Sequence, residues 1–398
     1  MQAAFDHNQT VLSRKAAIEA AGYRKRLQST RFLPTLSTFY GYEHKSEKDY
    51  LWPDFPVSTH ENYEWRTSIE QKVFEGFARS NSLKAARMVQ SLAQTALEIE
   101  KQDIALAVKT AYFNILKAQR AYAATKRAMN SIRKHLSVAR ALYNVGSVPG
   151  HDLLEAELRF ANTQNDFIQV QNELASARTK FNMILGRPLS SSFQIADILT
   201  YTPVAETADS YIATALDQRL ELKSIDLTLK LTHLEAKIAQ SAYYPNISVR
   251  ADYIREGDDP YVTGSDFHKT DYWEAFAWVE WDLWPWAPVR NQVREKHSIQ
   301  KQLRYQRKDT ASRIRLEIRA ALVTLTGVEH KLPSAEKAVR LAEENLRTQE
   351  LRYQIQIGTS TKVLDAQALL TEAQRNYYNA LYDHNLAKAQ LTRALGEY

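Results

Sequence analysis

Residues 61–73 read Glu-Asn-Tyr-Glu-Trp-Arg-Thr-Ser-Ile-Glu-Gln-Lys-Val. On a strand, successive side chains point to opposite faces. Tyr63, Trp65, Thr67, Ile69, Gln71 and Val73 therefore share one face, opposed by Asn62, Glu64, Arg66, Ser68, Glu70 and Lys72. One face meets something apolar and the other meets water. A second run places Trp273, Ala275, Ala277, Val279, Trp281 and Leu283 against Glu274, Glu280 and Asp282. After Pro245, Ile247, Val249, Ala251 and Tyr253 alternate with Asn246, Ser248, Arg250 and Asp252; after Pro34 the better face carries Leu36, Thr38, Tyr40 and Tyr42. A sheet half-covered by a helix alternates in the same way. Strand lengths of about ten residues, aromatics near the ends and charges on the inner face fit a membrane barrel better. The intervening segments, 44–60 and 255–270, are polar and read as exposed loops. Four strands cannot close a barrel, since about eight is the smallest. A chain that crosses a membrane on these strands must oligomerise, and three copies would supply twelve.

Working outward, the chain repeats itself. Asn81 and Asn291, Tyr143 and Tyr353, Leu154 and Leu364, Ala156 and Ala366, and Gly186 and Gly396 are each 210 residues apart. Phe32-Leu33-Pro34 matches Tyr243-Tyr244-Pro245 at 211. Each half reads helix, Pro, strand, polar loop, strand, very long helix, short turn, helix. In the first half the long helix shows as Ile104, Val108, Ala111, Ile115, Ala118, Tyr122, then Met129, Ile132, Leu136, Ala139 and Tyr143. Steps of three and four make a heptad seam, which implies coiled-coil packing. From about Ser82 to Tyr143 such a helix is on the order of 90 Å long. The return helix, about Asp152 to Leu185, carries Leu153, Leu154, Ala156, Leu158, Ala161, Phe167, Val170 and Leu174, so each half holds an antiparallel helical hairpin.

Composition permits this and excludes other classes. The 398 residues include only 11 Gly and 11 Pro, so long uninterrupted elements are expected. With 44% hydrophobic and 25% charged residues the chain can bury a large apolar area, yet no run of about 18 apolar residues marks a membrane helix. The +6 charge is spread among Glu and Asp along helical faces, without a basic patch, which argues against nucleic acid. No cysteine is present, which excludes disulfides, thiolate metal sites and a lipidated cysteine in this sequence. The opening Met1-Gln-Ala-Ala-Phe-Asp has no charged region followed by an apolar one, so export is expected to follow a signal peptide already removed. None of the ten His sits in H-E-x-x-H, no Gly-rich loop ends in Gly-Lys-Ser/Thr, and Gly146-Ser147-Val148-Pro149-Gly150 lacks serine at the elbow position. No enzyme, metal site or cofactor is expected. Four Met residues argue weakly against a methionine relay for soft metals.

Taken together, the chain resembles the TolC-like outer-membrane efflux family, the outer-membrane factors, over nearly its whole length. The carriers are the Leu33-Pro34 and Tyr244-Pro245 breaks, Val73-Phe74-Glu75-Gly76 as the strand exit, and Ala111-Tyr112-Phe113-Asn114-Ile115-Leu116 within the long helix. Tyr143-Asn144-Val145-Gly146 followed by Asp152-Leu153-Leu154, and Gly358-Thr359 followed by Val363-Leu364-Asp365-Ala366, mark the hairpin tips. Order, spacing and duplication carry the resemblance more than any one motif. It implies a mainly α fold with a membrane β-barrel: a homotrimer whose twelve-stranded barrel in the outer membrane of a Gram-negative bacterium continues into a periplasmic α-helical tunnel. It also implies outer-membrane lipid around the barrel and docking to a periplasmic adaptor and an inner-membrane pump, as the exit duct of a tripartite efflux or type I secretion system. The segments expected are a first tunnel helix 1–32, a strand pair 33–77, a hairpin 78–186 with its tip at 144–152, a connector 187–207, a helix 208–243, a strand pair 244–286, and a hairpin 287–398 with its tip at 354–362. The rival reading is a non-transporting periplasmic coiled-coil scaffold or membrane-binding helical protein.

The tips concentrate the candidate residues. Gly146, Ser147, Val148, Pro149 and Gly150 in one hairpin, and Gly358, Thr359, Ser360 and Thr361 in the other, are candidate adaptor contacts, with the glycines also serving the turn. A threefold axis would repeat Asp152, Glu155, Lys362 and Asp365 into charged rings at a mouth. Asp152 and Glu155 equally fit a D-x-x-E capping box. Where some family members carry two acids one turn apart, this chain has Lys362 and then Asp365, so a weaker cation preference is expected. Gln356 stands where the second tip usually has glycine, which predicts a differently built turn. Tyr63, Trp65, Trp273, Trp281, Trp284 and Trp286 read as aromatics at the membrane interface.

Overall fold

The computed structural model of the chain describes residues 1–52, 55–198, 207–267, 269–284 and 287–398. Trp286 and residues 199–206 of the anticipated connector lie outside them. The first half of the chain runs α1 (Gln2–His7), α2 (Gln9–Thr30), β1 (Thr35–His44), β2 (Tyr50–Trp52), β3 (Phe55–Pro56), β4 (Glu61–Glu75), α3 (Ala78–Asn144) and α4 (Gly150–Ile184). The second runs α5 (Ala208–Gln218), α6 (Leu220–Gln240), β5 (Asn246–Gly257), β6 (Asp271–Glu280), α7 (Pro288–Gln354) and α8 (Ser360–Leu395). Helices α3 and α7 each have 67 residues, and α4 and α8 have 35 and 36. The chain forms two compact units, one of Met1–Lys15, Thr95–Lys223 and Lys308–Tyr398, the other of Ala16–Gln94 and Ser224–Arg307.

The second unit contains the sheet, ordered β1-β4-β5-β6 with every neighbouring pair antiparallel. The register gathers the alternating residues onto one face. Tyr40 lies opposite Trp65 and Leu36 opposite Ile69; Ile69 and Thr67 face Ala251 and Tyr253, which face Ala275 and Trp273. This face is the uncovered one: Trp273 is 76% exposed and Leu36 72%. The polar face is buried along the two central strands, with Asp252 3% and Ser68 5% exposed, and open on the edge strands. There Arg250 ion-pairs with Asp252 at 2.8 Å and donates to Ser68 Oγ at 2.9 Å, while Arg66 holds Glu64 at 2.6 Å. A sheet half-covered by a helix buries its apolar face, so this one is inside out relative to that alternative.

Two details of the strands differ from the sequence reading. The second alternating run stops at Glu280, leaving Trp281, Leu283 and Trp284 in the connection to α7. Glu280 pairs with Asn246, the first residue of β5, and the Pro245 before it has no N–H to continue the ladder. Within 44–60, read as plain loop, β2 and β3 form a small hairpin. Gly76 ends the β4 exit at φ +56°, and a Cβ there would strike the Ser241 carbonyl, which explains the glycine in Val73-Phe74-Glu75-Gly76.

In the first unit the expected single helices 1–32 and 208–243 are each broken once. Asn8 is extended (φ −68°, ψ 128°); its Oδ1 accepts the Thr10 N–H at 2.9 Å and its Nδ2 donates to the Ile184 carbonyl at 2.9 Å. Arg219 is extended (φ −63°, ψ 119°), and its guanidinium donates to the Ala394 carbonyl at 3.0 Å. Each side chain satisfies a carbonyl that a helix C-terminus leaves without an intrahelical partner. Arg219 also belongs to an ion network: Glu221 bridges Arg219 (2.9 Å) and Arg393 (2.8 Å), Arg393 reaches Asp103 (2.8 Å), and Arg219 reaches Glu317 (3.1 Å). Burial acts to raise the Glu221 carboxyl, but its bonds to Arg393 and the nearby Arg219 hold it below the usual carboxylate range.

The long helix α3 carries two apolar stripes rather than the single seam. Val108, Ala111 and Ile115 pack with Ala4, Phe181 and Leu185, while Phe113 and Leu116 pack with Tyr382 and Ala389. Ile314, Ile318 and Leu325 of α7 meet Ala387, Leu391 and Ala394 of α8, each large aliphatic contributing about 1.5–3 kcal/mol by leaving water. On α4, by contrast, only Ala156 of the expected seam is buried, and Leu154 is 66% exposed. Toward its C-terminus α4 is covered, with Phe181, Leu174 and Ala177 packed on α3, but Leu154, Leu158 and Ile168 remain more than half exposed among the described residues.

Candidate functional site

The two hairpin tips are built alike. After α3, the Gly146 N–H donates to the Tyr143 carbonyl and the Ser147 N–H to the Leu142 carbonyl, both at 2.9 Å. After α7, the Gln356 N–H donates to the Tyr353 carbonyl (3.1 Å) and the Ile357 N–H to the Arg352 carbonyl (2.9 Å). Both are paired Schellman closures with a left-handed residue at the turn. Gly146 takes φ +72° and Gln356 takes φ +62°. The prediction of a differently built second turn is thus corrected: Gln356 adopts the glycine conformation, and backbone hydrogen bonding overrides the side-chain preference. Gly358, two residues on, lies against the Arg352 and Tyr353 backbone, where a Cβ would come within 3.2 Å.

The capping box is also corrected. Helix α4 starts at Gly150 with Pro149 as N-cap and no side-chain cap, so Asp152 is the acid of the first turn, where the helix dipole favours it. Glu155 is released from capping and instead accepts a hydrogen bond from Thr361 Oγ1 at 2.9 Å, tying the second turn of α4 to the first turn of α8. Lys362 and Asp365 stand exposed on one face of α8, one turn apart, as the spacing predicted. Gly146, Ser147, Pro149 and Thr359 are exposed, and Val148, Gly150 and Gly358 are half-buried. Ser360 is an exception among the expected tip contacts. It is fully buried, so it cannot present itself to a partner.

Ser360 belongs to a small polar core that sequence reasoning did not assemble. His135 Nε2 lies 2.8 Å from Ser360 Oγ, and the imidazole packs on the Tyr353 ring with centroids 4.8 Å apart. Tyr353 sits among Leu346, Val363 and Ala366. Burial pushes His135 below its ordinary pKa, while Asp152 and Glu155 pull it part of the way back. The signal was present: Ala128, Ile132, His135 and Ala139 follow steps of four, three and four, which put the histidine on a buried stripe. Among the described residues no cluster of His, Asp and Glu could hold a metal ion, and no helix is long and apolar enough to cross a membrane.

Of the predicted interface aromatics, Trp65 is part-exposed and donates to Thr38 Oγ1 at 2.8 Å, and Tyr63 stacks on Tyr42 at 4.8 Å. Trp273 and Trp284 are among the most exposed aromatics, and Trp281 donates its indole N–H to the Tyr243 carbonyl at 3.2 Å. Tyr63, Trp65 and Trp273 lie toward the loop end of the strands, whereas Trp281 and Trp284 follow the opposite end of β6. The apolar face is therefore bordered by aromatics at both ends.

Comparison with known proteins agrees with this architecture. The sequence model of the outer membrane efflux protein family matches residues 1–187 and 211–397. The outer membrane protein TolC of Vibrio cholerae serotype O1 is 22% identical over 324 residues, 79% of this chain and 72% of TolC. The crystal structure of the outer membrane protein VceC from Vibrio cholerae superposes with a TM-score of 0.85 at 16% identity, covering 100% of this chain and 95% of VceC. The Campylobacter jejuni CmeC outer membrane channel gives 0.85 at 16% identity, covering 99% of this chain and 84% of CmeC. With both halves of the sequence matched and the strand, long-helix and hairpin order described above, the chain belongs to the outer membrane efflux protein family, a family of non-enzymatic channels of the Gram-negative outer membrane.

Proposed function

We propose that three copies of this chain form the exit duct of a tripartite efflux or type I secretion system, receiving substrates from an inner-membrane pump and a periplasmic adaptor. The observation that carries the trimer is the inside-out sheet with two open edges. Strands β1 and β6 each pair on one side only among the described residues, and the uniformly antiparallel order makes them run in opposite directions. Joining β6 of one copy to β1 of the next continues the antiparallel pattern, and twelve strands close it without a free edge. The exposed apolar face then meets lipid and the charged face lines the lumen. The uncovered leucines of α4 supply a surface for a neighbouring copy, and the hairpins continue the barrel as a tunnel. The matched breaks at Asn8 and Arg219, each reaching the end of a return helix, support a chain of two equivalent repeats.

The tips form the gate in this reading. Glu155 and Thr361 hold the two hairpins of one copy together, and threefold symmetry makes rings of Asp152, Lys362 and Asp365 at the mouth. Exposed Gly146, Ser147, Pro149, Thr359 and Thr361, with Val148, Gly150 and Gly358 beside them, offer the adaptor a surface of small side chains. Assembly with the pump opens the mouth. Two measurements test the proposal. The detergent-extracted protein should migrate as a heat-modifiable trimer, and a soluble monomer would refute the duct. Planar-bilayer conductance should change, with a shift in ion preference, when Lys362→Ala and Asp365→Ala are combined; an unchanged channel would refute the gate.

A further inference from the structure

We propose that a cleft between α3, α6 and α7 in the second unit binds an amphiphilic anion, an apolar body carrying one carboxylate, sulfonate or phosphate group. Each helix contributes one turn to the cleft: Lys84 and Met88 from α3, Lys230 and Leu234 from α6, Gln300 and Arg304 from α7. Residues four apart share a helical face, so each turn presents its pair to the same space. The cleft has a volume of about 520 Å³, within the range of small-molecule sites. Met88, Leu229 and Leu234 are its half-buried apolar lining, and Lys84, Lys230, His233 and Arg304 are exposed around it.

Two features favour an anion as the ligand. The first is the ion-pair ladder between α6 and α7. Asp226 holds Arg307 through two hydrogen bonds at 2.7 and 3.2 Å, and Glu235 holds Lys296 at 3.0 Å. Between these rungs the antiparallel helices oppose Lys230 and His233 to Gln300 and Arg304, with no carboxylate among the cleft residues. Neither Lys84, Lys230 nor Arg304 forms an ion pair among the described residues, and cations gathered over an apolar floor repel one another unless an anion lies between them. The second feature is Gln300, which is 8% exposed and whose Nε2 has no hydrogen-bond partner. A buried amide N–H left unpaired costs about 1–3 kcal/mol, and a ligand oxygen would satisfy it. Apolar floor, cationic rim and one unsatisfied donor together describe a tail, a headgroup and a point of orientation. The site shares no residue with the hairpin tips or the sheet.

Amide hydrogen exchange on the full chain in dodecyl maltoside tests the assignment, because the readout is local and partition into micelles is common to all variants. Decanoate at about five times its dissociation constant should slow exchange in 226–236 and 298–307 about sixfold. Decanol and inorganic phosphate, which supply the tail and the charge separately, should leave those segments unchanged. Arg304→Glu should abolish the protection while keeping the fold, since the new carboxylate faces Lys230 and completes the ladder. Gln300→Leu, which removes the donor at similar volume, should weaken the decanoate response at least about threefold while raising the melting temperature. Equal protection by decanol, protection that survives Arg304→Glu and Gln300→Leu, or no protection by decanoate would each overturn the proposal; the last is also the result if a neighbouring copy fills the cleft.

Discussion

Gln356→Gly is expected to stabilise the second hairpin tip, and the first tip supplies the internal standard. The two turns have the same hydrogen bonds and nearly the same left-handed backbone, φ +72° at Gly146 and φ +62° at Gln356, so they differ chiefly in the residue that bears the strain. An L-residue with a Cβ costs about 1–2 kcal/mol in that conformation. Glycine removes the cost but gives the opened segment more freedom, worth about 0.4–1 kcal/mol in the other direction. The net gain is about 0.5–1 kcal/mol, which slows local opening about two- to fivefold. In the reverse experiment, a Cβ on Gly146 meets nothing within 4 Å, so Gly146→Ala carries the same two backbone terms with opposite sign and no steric one, and should speed opening of the first tip about two- to fivefold. The assay is amide exchange of Gln356 and Ile357 in one variant and of Gly146 and Ser147 in the other, each compared with the untouched tip. Exchange at 356–357 that is unchanged or faster in Gln356→Gly would refute the strain argument, as would a neutral Gly146→Ala.

The buried His135 makes stability pH-dependent. Its folded-state pKa lies below its unfolded one, so the unfolded chain takes up the proton first; stability is full above about pH 6.5 and falls on acidification until the folded pKa is passed. His135→Gln, which can still bond Ser360, should remove that part of the loss in urea denaturation midpoints compared at about pH 7.5 and about pH 5.5. An unaltered pH dependence would contradict the assignment. Arg393→Met should cost about 2–3 kcal/mol by leaving Glu221 with Arg219 alone and Asp103 without its arginine, and Glu221→Gln in the same chain should recover part of it in a double-mutant cycle. Gly76→Ala should cost about 2 kcal/mol or more, because the positive φ and the Ser241 carbonyl both oppose a Cβ, and should reduce the yield of folded channel recovered from membranes.

The sequence by itself determined the elements and the family. Alternation with period two over residues 61–73, heptad steps from Ile104 to Tyr143, and the 210-residue offset are local or self-referential patterns, and each is imposed by geometry that a single strand or helix already has. They were sufficient to anticipate four strands and two helical hairpins, while the channel was implied by the resemblance that their order and spacing carry. What the tertiary structure decided is which neighbour each face meets. A heptad stripe states that a face is buried but not by what, so the second stripe of α3 and the exposed leucines of α4 emerged only with the helices packed. Breaks at Asn8 and Arg219 depend on carbonyls about 175 residues away in sequence, which no local propensity encodes. Glu155, which fitted a capping box by spacing, bonds Thr361 across 206 residues, and Ser360, read as a tip contact, is buried on His135. In each case the sequence fixes which groups are available, and only the fold, by bringing distant segments to hydrogen-bond distance, selects which of them pair.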